Sequence, residues 1–245
     1  MGKMAERMLA MKSELVSVYC GGLGAMDDNG ELDLDNIHYN EGNEVSPCAA
    51  YRILLDECDV NADVIIYVHD DVTLHDPFWH SKVMALFERP ECVAVGLGGA
   101  TALGSRDLYR KPFDIWAMAR KGYASNQTDA EVHGARLVDA RQVAVVDAFF
   151  MAVRVAWLRQ IGGWPVGKLT HHCLDLWLAC EAARTGRETW AVGVNCTHHG
   201  GRSSTTKGYA GAKWLQGGMM ERDHILPHKW LYETYRDVLP LEVGQ

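Results

Sequence analysis

The strongest feature of the hydrophobic pattern is an unbroken apolar run, Val64-Ile65-Ile66-Tyr67-Val68, that ends in His69-Asp70-Asp71. No polar residue alternates within it, so the pattern predicts a strand covered on both faces, as in a parallel sheet between helices. Leu15 to Cys20 reads as an earlier strand, and Gly21-Gly22-Leu23-Gly24 follows where a βα turn lets backbone approach a ligand. The acidic, Asn- and Gly-bearing stretch from Asp27 to Glu44 is predicted as loop. Ser46-Pro47 then supplies an N-cap and a first-turn proline, and Ala49, Ile53 and Leu54 follow at helical spacing until about Cys58. Asp76-Pro77 opens a second helix through about Glu88, and Cys92 to Gly96 is the next strand. The order βαβαβ predicts a parallel sheet with right-handed crossovers.

Beyond Gly98 the pattern loosens, and the span to Asp139 reads as an excursion that helps line a pocket. Val143 to Asp147 is a further strand, the apolar run resumes over Phe149 to Val153, and Val155 to Gln160 makes a short helix stopped by Gly162-Gly163. Cys173 to Arg184 is helical, with apolar residues at 174, 177 and 178 and Gly186 as its stop. A late strand, Thr189 to Val194, leads into Asn195-Cys196-Thr197-His198-His199-Gly200-Gly201. A polar loop from Gly200 to Gly218 and a closing amphipathic helix around His228 to Val238 complete the chain. The expected architecture is a single α/β domain, a mostly parallel, Rossmann-like sheet flanked by helices over residues 14–201, with a tail or short helix at 1–13 and the loop and closing helix at 202–245.

Length and composition agree with one sizeable core: 245 residues, 48% hydrophobic and 23% charged. No apolar run approaches the roughly twenty residues that span a bilayer, and Met1 to Lys12 lacks the apolar centre of a signal peptide, so a cytoplasmic location is expected. Cysteines at 20, 48, 58, 92, 173, 180 and 196 form no CxxC pair, which indicates reduced thiols and neither a zinc ribbon nor a disulfide framework. A formal net charge of −8 counts against a large sequence-independent grip on nucleic acid.

The candidate chemistry starts at the tip of the organising strand. In open α/β sheets ligands gather beyond the carboxyl ends of strands, where Asp70 and Asp71 would lie. Two neighbouring carboxylates repel each other unless a cation joins them, and a divalent ion suits them. The competing reading is a pair that caps the next helix, although Asp76-Pro77 provides a cap of its own.

Five motifs in order, His69-Asp70-Asp71, Asp147-Ala148-Phe149-Phe150-Met151-Ala152-Val153-Arg154, Gly162-Gly163-Trp164, Leu174-Asp175-Leu176 and His198-His199-Gly200-Gly201, resemble the GT-A glycosyltransferases, and most nearly their family 2-like group. The resemblance covers roughly Leu15 to Gly201. It implies that Asp71 is the metal-binding aspartate of a shortened Asp-x-Asp motif that holds a divalent ion against the diphosphate of a nucleotide-sugar. Asp70 takes the middle place and His69 stands where the family's first aspartate touches ribose, a departure from the pattern. Hard oxygen ligands suit Mn²⁺ or Mg²⁺, and an imidazole favours Mn²⁺. His198, favoured over His199, is the expected second metal ligand after the late strand; an exposed polar pair is the alternative. Arg202 and Lys207 are expected to add positive charge over the donor as their loop closes, or else are solvated loop cations. The family's base element corresponds to His172-Cys173-Leu174-Asp175, in which only Asp175 is a carboxylate. Asp175 is therefore the expected base, with His172 as the alternative. Trp164 is a candidate acceptor platform, against core packing.

The resulting expectation is a metal-dependent, inverting glycosyltransferase that moves a sugar from a nucleotide-diphosphate sugar to an acceptor hydroxyl. A nucleotidyl- or phosphotransferase with the same metal-diphosphate site is one alternative, and a non-catalytic nucleotide-sugar-binding module, suggested by the depleted base motif, is another. Saccharide, protein, lipid-linked, small-molecule or modified nucleic-acid-base acceptors all remain open.

Overall fold

A computed structural model describes residues 13–18, 26–27, 30–31, 45–69, 71–104, 118–128, 134–199 and 225–243. Its centre is a six-stranded sheet in the order β1 (Ser13–Val18), β4 (Val64–His69), β11 (Phe150–Arg154), β6 (Cys92–Gly96), β12 (Glu188–Val192), β9 (Ala140–Val143). The apolar run of β4 is explained by two cores. Ile65 and Tyr67 join the cluster beneath α1 (Pro47–Glu57), α3 (Val155–Gln160) and α4 (Leu174–Arg184), whereas Val64, Ile66 and Val68 join the one beneath α2 (Trp79–Leu86). All five are fully buried, each burial being worth about 1.5–3 kcal/mol.

The sheet is mixed, which corrects the expectation of a mostly parallel one. β1 pairs parallel with β4 and β6 parallel with β12, but β11 lies antiparallel between β4 and β6, and β9 is antiparallel to β12. The apolar stretch that reads as one strand from Val143 to Asp147 divides at Ala144. Its second part, β10 (Val145–Val146), belongs to another sheet with β7 (Gly98–Leu103), β8 (Arg120–Ser125) and β14 (Leu241–Glu242). The chain therefore enters β11 from the edge where β4 ends, and must run against it. Gly99 permits the crossing of β7 and β10, because a Cβ there would lie 2.7 Å from the carbonyl oxygen of Val145.

A third sheet orders β13 (Cys196–His198), β5 (Val72–Leu74), β2 (Met26–Asp27) and β3 (Gly30–Glu31). The late strand is thus two strands, with β12 in the central sheet and β13 in this one. The helix that carries Pro47 starts as expected, Ser46 accepting from the Ala49 amide at 3.3 Å. By contrast α2 begins at Trp79 because Asp76 uses its carboxylate to accept from the Phe78 amide in a turn before it. The closing helix, α5, spans Leu226–Thr234. Among the described residues no helix is long and apolar enough to cross a membrane.

Candidate metal centre

β4 delivers His69 at its last position, and the chain then turns through Asp71 into β5. β5 is held antiparallel to β13 with Val72 opposite His198, and the His199 amide donates to the Asp71 carbonyl at 3.0 Å. These backbone bonds bring His198 beside Asp71, although 127 positions separate them in sequence (198 minus 71). His69, Asp71 and His198 form a cluster whose ligand atoms all lie within 4.8 Å of one another.

The ring of His198 stacks on Phe149, with centroids 4.9 Å apart and an interplanar angle of 20°. Its Nδ1 lies 3.3 Å from the Gln127 side-chain amide, which leaves Nε2 facing Asp71 Oδ1 at 3.3 Å. That oxygen is buried and has no directed hydrogen bond. Burial pushes the Asp71 carboxyl up, but the adjacent His198 and then His69 outweigh it, so its pKa is lowered. The His69 pKa is pushed down to about 4, first by burial and then by His198, so its imidazole is neutral near pH 7. A neutral imidazole, a second imidazole and an ionised carboxylate with an unsatisfied buried oxygen make a donor set that fits a divalent ion, and nitrogen donors suit Mn²⁺ better than Mg²⁺.

A second polar cluster adjoins the first. The register that sets Phe150 opposite Val68 places Asp147 next to the end of β4, and the His69 amide donates to the Phe149 carbonyl at 2.9 Å. Asp147 Oδ2 accepts from the Tyr123 hydroxyl at 2.7 Å, and Oδ1 lies 3.6 Å from Arg120 Nη1. Arg120 Nη2 donates to Asp175 Oδ2, and Asp175 Oδ1 accepts from the Leu176 amide at 2.9 Å. Burial would raise Asp147, but Arg120 and the Tyr123 hydroxyl lower it overall. For Asp175 burial prevails over Arg120 and its pKa is raised. Burial outweighs the lowering that a helix N-terminus gives, because the side chain is only 3% exposed.

The structure thus brings His69 together with Asp71 and His198, and sets Asp175 in the neighbouring cluster. His172 is partly buried two positions before the first turn of α4, its ring edge-on to His171 at 4.5 Å. Trp164 requires a correction. At 1% exposure it is enclosed by Tyr51, Tyr67 and Trp177, and its indole donates to the Tyr67 hydroxyl at 3.0 Å, so no face is left for an acceptor. Asp70, Arg202 and Lys207 lie outside the described residues. Sequence reasoning missed Arg120, Tyr123 and Gln127, which sit in the irregular span after Gly98, and quoted Asp147 only as part of a motif. Its position where one apolar run breaks into two was the available signal.

Comparison with solved structures supplies the architecture. A crystal structure of GalNAc-T7 with UDP, GalNAc and Mn²⁺ superposes with a TM-score of 0.55 over 93% of this chain at 10% identity. The fold is GT-A-like. This chain spans 49% of the GalNAc-T7 chain. The crystal structure of A197 from STIV is also similar, with a TM-score of 0.47, 15% identity, and 77% of this chain and 85% of that chain covered. No protein-family profile matches the sequence, and no curated protein matches it significantly.

Proposed function

We propose that the protein is a metal-dependent glycosyltransferase of the family 2-like type, which transfers a sugar with inversion from a nucleotide-diphosphate donor to an acceptor hydroxyl. The observation that carries this reading is the His69–Asp71–His198 cluster at the tip of β4 in a GT-A-like fold. GalNAc-T7, crystallised with UDP, GalNAc and Mn²⁺, supports a nucleotide-sugar donor and a Mn²⁺ cofactor. His69, Asp71 and His198 would hold the ion, which when bound supplies Lewis-acid stabilisation of the departing diphosphate. His69 thereby moves from a donor contact to a metal ligand, while Asp70, Arg202 and Lys207 remain the proposed donor contacts.

In the transfer itself the acceptor oxygen bonds to the anomeric carbon as the bond from that carbon to the diphosphate oxygen breaks. The acceptor proton passes to Asp175, whose raised pKa favours proton acceptance, with His172 as the alternative acceptor. Trp164 supports this site from behind by fixing Tyr67 two residues before His69. Calorimetric titration of UDP and of a nucleotide-sugar panel, with Mn²⁺ and with EDTA, tests the reading. Binding is expected only with Mn²⁺ and only while Asp71 is intact. Equal binding by Asp71→Ala in EDTA, or no binding of any nucleotide diphosphate, would overturn it.

A further inference from the structure

We propose that Arg120 is a positioning residue for Asp175, its guanidinium holding the buried carboxylate in the ionised form that can accept a proton, with Asp147 and Tyr123 holding the guanidinium. This rests on the reading of Asp175 as the proton acceptor. Three separate elements converge: Asp175 stands in the first turn of α4, Arg120 at the first position of β8, and Asp147 between β10 and β11. The side chains of Arg120 and Asp147 are 32% and 27% exposed, whereas that of Asp175 is 3% exposed. A carboxylate so enclosed and without a cation would be protonated near neutral pH, because burial alone raises such groups by up to about 3–5 pKa units. A protonated carboxyl has no proton-accepting role.

The contacts of Arg120 oppose that outcome. Arg120 reaches Asp175 Oδ2 through Nη2 and approaches Asp147 Oδ1 through Nη1, so one planar fork spans two carboxylates. A lysine ammonium is a point charge and cannot span them in the same way. The remaining oxygens are also engaged, Asp175 Oδ1 by the Leu176 amide and Asp147 Oδ2 by the Tyr123 hydroxyl. Among the described residues, the charged and titratable groups of this cluster are Arg120 from β8, Asp147 from the β10–β11 turn with Tyr123 bound to it, and Cys173 at the head of α4, which also faces Arg120 and meets the His228 ring of α5 at 3.1 Å. Arg120 favours the anion of Asp175 and Asp147 opposes it. Removing Arg120 and neutralising Asp147 must accordingly move the Asp175 titration in opposite directions. A residue that merely braced the fold would give no such pair of signs.

The test uses the full metal-free chain labelled with ¹³C at the aspartate carboxyl carbons, with the Asp175 resonance assigned by its loss in Asp175→Asn. Its pH titration is compared in wild type, Arg120→Met, Arg120→Lys and Asp147→Asn. The expected result is an upward move of about one pKa unit or more in Arg120→Met, a smaller upward move in Arg120→Lys, and a downward move in Asp147→Asn, one unit being tenfold in proton affinity. If Arg120→Met does not fold, Arg120→Lys and Asp147→Asn carry the test. An Asp175 titration unchanged by Arg120 substitution, or moved the same way by Arg120 and Asp147 substitutions, overturns the inference. The parent reading fails separately: if Asp175→Asn retains full Mn²⁺-dependent hydrolysis of a nucleotide-sugar, Asp175 is not the base, whatever its titration shows.

Discussion

Replacing Asp71 by Asn isolates the charge at the proposed metal centre with the least disturbance of packing. Asn keeps the shape of a side chain that is only 7% exposed and flanked by His198 Nε2 at 3.3 Å. It removes the anionic donor whose buried Oδ1 lacks a directed hydrogen bond. An ion that binds only the folded state stabilises it by about 2.7 kcal/mol at one hundred times its dissociation constant. For a chain of this length each kcal/mol moves the melting temperature by about 2–4 °C, so wild type is expected to rise by about 5–10 °C in saturating Mn²⁺. Asp71→Asn should lose nearly all of that rise. His198→Ala should lose most of it, and its metal-free melting temperature should also fall because the stack on Phe149 goes with the ring. His199→Ala should keep the full rise, since His199 holds Asp71 through its backbone amide and its side chain is outside the cluster. Differential scanning fluorimetry with MnCl₂, MgCl₂ and EDTA reads all four proteins. A wild type unmoved by either ion, or an Asp71→Asn variant that rises as much as wild type, would refute the assignment.

Three further outcomes are expected. Asp175→Asn should lower turnover by about 10²-fold or more while leaving donor affinity unchanged, as measured by steady-state kinetics beside calorimetry; an equal loss of affinity would mean that Asp175 orders the donor site. Because the His69 pKa is pushed down to about 4 from 6.5, the unfolded chain takes up a proton that the folded chain refuses, so this contribution to stability is present above pH 6.5 and lost as pH falls towards 4. The loss is about 3 kcal/mol at most, and urea titrations across that range should show it in metal-free wild type but not in His69→Gln. Trp164→Ala should cost about 3–5 kcal/mol of stability, seen as a lower urea midpoint, yet leave the Mn²⁺-induced rise in melting temperature intact; a full-strength fold with lost metal response would return Trp164 to the site.

The parts of the fold legible in the sequence were those set by local pattern. The run Val64 to Val68 has no polar alternation because both its faces are buried, and that is visible in one dimension. Ser46-Pro47 marked a helix start because capping is local chemistry. The direction of β11 was not legible, since an apolar run reads the same either way along a sheet. Only the break at Ala144, where β10 leaves for another sheet, reverses the chain, and a single small residue within Val143-Ala144-Val145-Val146 carries no periodic mark. The same distinction separates the two halves of the candidate site. Asp71 and His198 stand at strand ends and could be picked out as candidates from their places alone. Arg120 and Tyr123 gain their significance only when β8 folds against β7 and faces Asp147, a contact that no spacing encodes.

Taken together, the two clusters constrain the order in which charge can enter. Asp71, Asp147 and Asp175 against one guanidinium give a formal balance of −2 (three carboxylates minus Arg120) when His69 and His198 are neutral. Arg120 is already engaged by two carboxylates and has little charge to offer a third anion. A diphosphate approaching this balance alone would be repelled; the depressed pKa values of Asp71 and Asp147 keep those two carboxylates charged, whereas the raised pKa of Asp175 works the other way. A divalent ion held by His69, Asp71 and His198 would offset that negative balance. Under the proposed function the ion is therefore expected to bind before the diphosphate or together with it. The buried Oδ1 of Asp71, which His198 Nε2 approaches at 3.3 Å without a directed hydrogen bond, is then the feature that sets the order, because a cation would give it the partner it lacks.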